Sequence, residues 1–121
     1  MSTQLAGTQV GVDSRQLKRY AFMLRLRPGV EAAYEKSHRA VWPDLLELLK
    51  RSGVSEYSIY RRGQMLILVL RCRDFEETWS KIDADPVNIS WQKAMAPFFA
   101  PVEEVQPGER FAMLEEIFYL P

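Results

Sequence analysis

Cysteine and histidine occur once each among these 121 residues, as Cys72 and His38. One thiol cannot close an intramolecular disulfide or build a zinc site, and a lone cysteine fits a reducing cytoplasm. Cys72 lies beside an apolar segment and reads as a core filler rather than a nucleophile. Long apolar runs are also missing. The longest, MLILVL at residues 65–70, is far too short to span a bilayer. The start of the chain has no basic segment followed by an apolar stretch, so no secretory signal and no membrane partner are expected. Neither sign of charge is in excess. Sixteen basic and sixteen acidic side chains give a formal net charge of zero, which argues against a nucleic-acid partner or an acidic membrane.

What is present suffices for one domain. At 47% hydrophobic the chain can bury a core. Residues 1–17 are polar and aperiodic and read as a flexible N-terminal tail, leaving 18–121 as the folded domain. Residues 19–26 (RYAFMLRL) alternate as a strand does. After the turn at Pro28-Gly29, Val30, Ala33, Tyr34, Ser37, Val41, Leu45 and Leu48 fall on one side of a helix, which Trp42-Pro43 should interrupt or kink. A second helical piece at 44–50 ends near Gly53. Residues 54–61 read as a strand with Tyr57 and Ile59 on one face and Ser58 and Tyr60 on the other. A short connection at 62–64 leads to a central strand at 65–70.

Asp74 is a good N-cap for a helix carrying Phe75, Trp79 and Ile82. Asp85-Pro86 opens another helix, with Ile89, Gln92, Lys93 and Met95 in it and Trp91 on its flank. Residues 97–108, with three prolines, read as a long connection, and 112–120 as a last strand. The order β-α-β-β-α-β is that of α+β ferredoxin-like folds, a four-stranded antiparallel sheet with helices on one face. The other face then needs cover, and a second copy of the chain supplies it most simply, giving a dimeric α/β barrel.

The candidate chemistry centres on His38. Tyr34, His38 and Trp42 stand at i, i+4 and i+8 and would line one side of a helix. Histidine exchanges protons near neutral pH, and a tyrosine one turn earlier adds a hydroxyl for a polar ligand. From spacing alone two roles stay open for His38, a structural donor to a backbone carbonyl or an acid–base group. Taken alone, Trp42, Tyr34 and Trp91 read as packing residues.

Several segments carry a family resemblance. They are RYAFMLRLRPG, AYEKSHRAVWPDLLELLKRSG, YSIYRRGQMLILVL, SWQKAM and the terminal EIFYLP, which together span about residue 19 to the end. The combination of H-x-x-x-W-P-x-L with E-x-F-Y-L-P resembles the L-rhamnose mutarotase family of small dimeric α/β-barrel proteins. The resemblance implies interconversion of the α and β anomers of a 6-deoxy-L-hexose without metal or organic cofactor. It implies His38 as the acid–base residue, and Tyr34 and Tyr57 as substrate-binding tyrosines. It also implies a sugar-binding pair of adjacent tryptophans at Trp91 and Gln92. The second of these is an amide here, and Ala94 stands where an aromatic is familiar. An amide can read hydroxyl configuration through hydrogen bonds, so L-fucose stands beside L-rhamnose as an alternative substrate.

Mutarotation needs a proton removed from the anomeric hydroxyl and one delivered to the ring oxygen, and general acid–base help contributes roughly 10²–10⁴-fold. His38 is expected to protonate the ring oxygen. Water or another side chain would act as the complementary base, with Glu115 or Glu116 a lesser candidate. Tyr60 and Tyr119 read as structural. Two other classes share this architecture or site: a haem-binding or cofactor-free monooxygenase of the dimeric-barrel type, and a non-catalytic sugar-binding module.

Overall fold

The computed structural model describes residues 17–121. The expected tail at 1–17 lies, except for residue 17, outside the described residues. Four helices pack on one face of a curled antiparallel sheet. The elements are β1 (Lys18–Leu26), α1 (Glu31–His38), α2 (Pro43–Arg51), β2 (Ser55–Arg62), β3 (Met65–Cys72), α3 (Phe75–Ala84) and α4 (Pro86–Met95). A 3₁₀ turn (Ala96–Phe98), β4 (Phe99–Ala100) and β5 (Ala112–Leu114) follow. The sheet order is β2-β3-β1-β4, and β5 pairs with the same edge of β1 further along. The α+β ferredoxin-like order is therefore as expected, with the fourth strand position shared by two short strands.

Strand alternation decides which side is core. Phe22 pairs with Leu68 and Leu24 with Leu66, so these side chains share the helix-covered face. Phe22, Leu26, Leu66, Leu70 and Cys72 are almost fully buried there, each large apolar one contributing about 1.5–3 kcal/mol. Residues between them, such as Ala21, Met23, Ile67 and Val69, are only half-buried on the opposite face, which carries no helix. β3 is the central strand anticipated from its apolar run, and it runs two residues longer.

The helical half departs from expectation at Trp42. The residue before a proline is driven out of the α region. Trp42 accordingly has φ −56° and ψ 130°, and Pro43 takes the first position of a new helix. The helix is therefore interrupted between His38 and Pro43, one of the two outcomes expected there, but Trp42 is not on the helix that carries Tyr34 and His38. Downstream, the Asp74 carboxylate accepts from the Glu77 amide at 3.0 Å and the Asp85 carboxylate from the Val87 amide at 2.9 Å. Asp74 is thus the anticipated N-cap of α3, and Asp85 caps α4 where Asp85-Pro86 was expected to open a helix. On α4 the inner face is Asn88, Trp91 and Met95. Trp91 is thus central rather than flanking, and Ile89 points to solvent.

Two further expectations need correction. The connection at 97–108 contains β4, because Phe99 and Ala100 find ladder partners in Leu26 and Arg25. The last strand stops at Leu114, where pairing with Ala21 ends. Beyond it the chain is held by ion pairing of Glu116 with Arg19 and by the Arg19 guanidinium lying 3.3 Å from the Tyr119 ring centroid. Ile117, Phe118 and Leu120 remain exposed, Ile117 at 92%.

Candidate active site

α1 contributes Tyr34 and His38 from adjacent turns, and their rings lie 4.2 Å apart between centroids. Tyr34 is only 4% exposed, wedged edge-on against Phe99 and Phe98. Burial raises its pKa to about 12, so it stays a neutral phenol at any physiological pH. Burial, helped by the neighbouring Tyr34, also pushes the Tyr57 hydroxyl upward. An ion pair at 2.6 Å between Arg61 of β2 and Glu35 of α1 spans the two elements that carry these tyrosines.

His38 ends α1. Its Nδ1 lies 3.1 Å from the Tyr34 carbonyl oxygen and 2.9 Å from Ser37 Oγ. The Ser37 hydroxyl donates to that same carbonyl at 2.6 Å. A carbonyl can only accept, and the Ser37 proton is already committed, so both contacts require the proton on Nδ1. Nε2 is left as the basic atom. Burial lowers the His38 pKa below its ordinary value, against a smaller opposing effect of the Tyr34 carbonyl. The resting ring is neutral. Of the two roles its spacing left open, His38 takes the structural one by donating to a backbone carbonyl, and the tautomer this bond fixes leaves Nε2 able to take up a proton.

Trp91 meets the His38 ring edge-on at 5.5 Å, and Trp42 packs edge-on to Trp91 at 5.0 Å. Two neighbouring hollows that share lining residues open here. An inner one of about 70 Å³ is bordered by Tyr34, His38, Tyr57, Trp91, Gln92 and the aromatic wall of Trp79, Phe99 and Phe111. That is room for about two waters. An outer one of about 470 Å³ shares His38, Tyr57, Trp79, Trp91 and Gln92, and continues between α2, β2 and α3 past Leu45, Leu49, Val54 and Ile82. All five site residues singled out from the sequence, Tyr34, His38, Tyr57, Trp91 and Gln92, therefore border one space, although Tyr34 reaches only its inner part.

Glu115 and Glu116 do not join them: both are exposed, and Glu116 is engaged with Arg19. Tyr60 is exposed on the helix-free face. Among the described residues no three His, Cys, Asp or Glu side chains cluster as a metal site would require.

The family profile of L-rhamnose mutarotase matches residues 19–120. The chain belongs to the L-rhamnose mutarotase family. The L-rhamnose mutarotase of Rhizobium johnstonii is 35% identical over 107 residues, covering 87% of this chain and 98% of its own. That of Mesorhizobium japonicum is 37% identical over 105 residues, covering 85% and 97%. The crystal structure of the L-rhamnose mutarotase of Formosa agariphila superposes with a TM-score of 0.68 at 30% identity, covering 86% of this chain and 99% of that one. Tetracenomycin F2 cyclase from Streptomyces glaucescens, at 17% identity and a TM-score of 0.61, covers 86% of this chain and 97% of its own and shares the fold alone.

Several cavity residues of this family member escape sequence reasoning. Trp79 carries ordinary helical core spacing, yet it borders both hollows while stacking on Phe75 at 5.0 Å. Phe99 and Phe111 lie in or beside the stretch read as a connection. Asn88, a buried polar residue on the inner face of α4, gives no signal other than its i−4 relation to Gln92.

Proposed function

We propose that this isomerase interconverts the α and β anomers of L-rhamnose, with His38 exchanging the proton. The observation that carries the reading is the His38 environment: a neutral imidazole that borders a sugar-sized cavity with aromatic side chains in its wall, its Nδ1 proton held by the Tyr34 carbonyl and its Nε2 without a hydrogen-bond partner among the described residues. The ring oxygen receives its proton from His38. Because burial keeps the resting imidazole neutral, that proton is first taken up, from the anomeric hydroxyl or from water. Loss of the hydroxyl proton and cleavage of the bond between the anomeric carbon and the ring oxygen give the open-chain aldehyde. Rotation about the adjacent carbon–carbon bond presents its other face, closure reverses the proton movements, and no net proton is consumed.

Tyr34 and Tyr57, both neutral phenols, hold sugar hydroxyls. Trp91 covers an apolar C–H face of the pyranose, and Gln92 reads hydroxyls. The matched family and the relatives named above are rhamnose proteins, which favours L-rhamnose over L-fucose. The enzyme is read as cytoplasmic, in keeping with its one buried, unpaired thiol.

A second copy is read as the cover for the helix-free sheet face. That face holds half-buried Met23, Ile67 and Val69 with exposed Tyr60 and Leu114, beside the exposed Ile117, Phe118 and Leu120. Light scattering should then return twice the 14.1 kDa chain mass; a monomer at micromolar concentration refutes the dimer. The activity is tested by saturation-transfer NMR of anomer exchange in L-rhamnose and, separately, L-fucose. Acceleration for L-rhamnose alone supports the reading, acceleration for L-fucose alone transfers the substrate, and acceleration of neither overturns it.

A further inference from the structure

Asn88 is a polar side chain only 4% exposed, yet it borders the outer hollow. It stands one helical turn before Gln92 on α4, and the Gln92 side-chain Nε2–H donates to Asn88 Oδ1 at 3.3 Å. Among the described residues this is the one hydrogen bond the Asn88 side chain makes. An asparagine amide has two donors besides that oxygen, and the glutamine retains one N–H and a carbonyl oxygen. Exchanging the oxygen and nitrogen of either amide still leaves the pair with both donors and acceptors. The surrounding wall is mainly apolar, formed by Leu45, Leu49, Val54, Ile82 and the rings of Trp79 and Trp91, with Lys50, Ser55 and Glu56 also bordering the hollow. Gln92 is exposed at the rim and Asn88 is buried behind it, so the unused bonds of the pair are completed by water or by a ligand group that displaces it. A hydroxyl group, which both donates and accepts, matches what the pair offers.

We infer that Asn88 and Gln92 form an amide pair that reads one sugar hydroxyl remote from the anomeric centre. Gln92 makes the contact, and Asn88 is the positioning residue that fixes its amide. The inference rests on the sugar-mutarotase reading above and deepens it: this wall selects by hydroxyl placement, not by aromatic stacking. A wrongly placed hydroxyl leaves the pair incomplete, so discrimination appears in substrate binding before it appears in the chemical step.

The test removes one ring hydroxyl at a time from L-rhamnose and measures anomer exchange for the wild type, Gln92→Leu, Asn88→Leu and Asn88→Asp. Binding is read separately by tryptophan fluorescence. In the wild type, one deoxy analogue should bind roughly tenfold more weakly than L-rhamnose, the value of one well-made hydrogen bond. Gln92→Leu should weaken L-rhamnose by a similar factor, chiefly in KM, and should not distinguish that analogue from the parent sugar. Asn88→Leu should follow Gln92→Leu, while Asn88→Asp, which keeps the acceptor for Gln92, should recover most of the selectivity. Wild-type exchange with equal losses for every analogue in every variant overturns the pair and leaves the mutarotase reading intact. Wild-type failure to accelerate any exchange overturns the mutarotase reading, and uniform binding across the analogues then overturns the pair as well. Should Asn88→Leu fail to fold, the Gln92→Leu comparison alone decides the outcome.

Discussion

With a single histidine in the chain, one carbon-bound ring proton of His38 supplies a histidine signal that can be followed through a pH titration without ambiguity. Burial lowers its pKa from the ordinary 6.5, and the Tyr34 carbonyl offsets that only partly. The titration midpoint should therefore fall below 6.5. Rate must follow the same group. If neutral His38 begins the reaction, kcat/KM is flat above the midpoint and falls about tenfold per pH unit below it.

Stability follows with a defined sign. Unfolded histidine takes up its proton near 6.5, before the folded one does. The His38 contribution is therefore complete above pH 6.5, is lost as pH falls through the interval down to the folded midpoint, and is constant below that. Each unit of depression corresponds to at most about 1.4 kcal/mol, less for a half-buried ring that water still screens. Urea midpoints of the wild type and His38→Asn, compared across that interval, isolate the contribution. A midpoint at or above 6.5, or a rate that rises toward acid, refutes the assignment of a neutral resting base.

Other consequences are separable from the chemistry. Leu70→Ala removes a fully buried side chain of the central strand and should cost about 2–5 kcal/mol in urea unfolding; a loss under 1 kcal/mol would show that the core is not as described. Asp85→Ala deletes the N-cap of the helix that carries Trp91 and Gln92, together with the 3.2 Å contact to Arg51. It should lower stability by about 0.5–2 kcal/mol and raise KM, whereas unchanged KM would mean that α4 is positioned without its cap. Tyr57→Phe keeps the packing edge against Trp79 and should raise KM for L-rhamnose about fivefold through loss of one hydroxyl contact. An unchanged KM removes Tyr57 from the binding set.

Where periodicity is strict, the sequence was a good guide. The alternation in residues 19–26 and 65–70, and Asp74 and Asp85 ahead of their helices, announce β1, β3, α3 and α4 because each signal is local. The site was legible in part for the same reason: Tyr34 and His38 are neighbours on one helix whatever the rest of the chain does. Trp42 was misplaced because helical spacing was carried across a proline whose constraint acts on the residue before it. The division of the fourth strand position between Phe99–Ala100 and Ala112–Leu114 depends on which residues of β1 are free to pair, and no local pattern encodes that. Trp79, Phe111 and Asn88 were missed for a related reason. Trp79 has the spacing of a packing residue, Phe111 follows a connection and Asn88 is a polar residue within a helix, and only the meeting of α3, α4 and the β5 edge brings them to the cavity.

The central claim, that His38 carries the proton in anomer exchange of L-rhamnose, is tested most directly by saturation-transfer NMR on the sugar with wild type and His38→Ala at equal folded concentration. Rapid exchange with the wild type and a loss of at least about 10²-fold in the variant is the result expected. Equal acceleration by both proteins would contradict it, leaving His38 as no more than a ring bonded to the Tyr34 carbonyl.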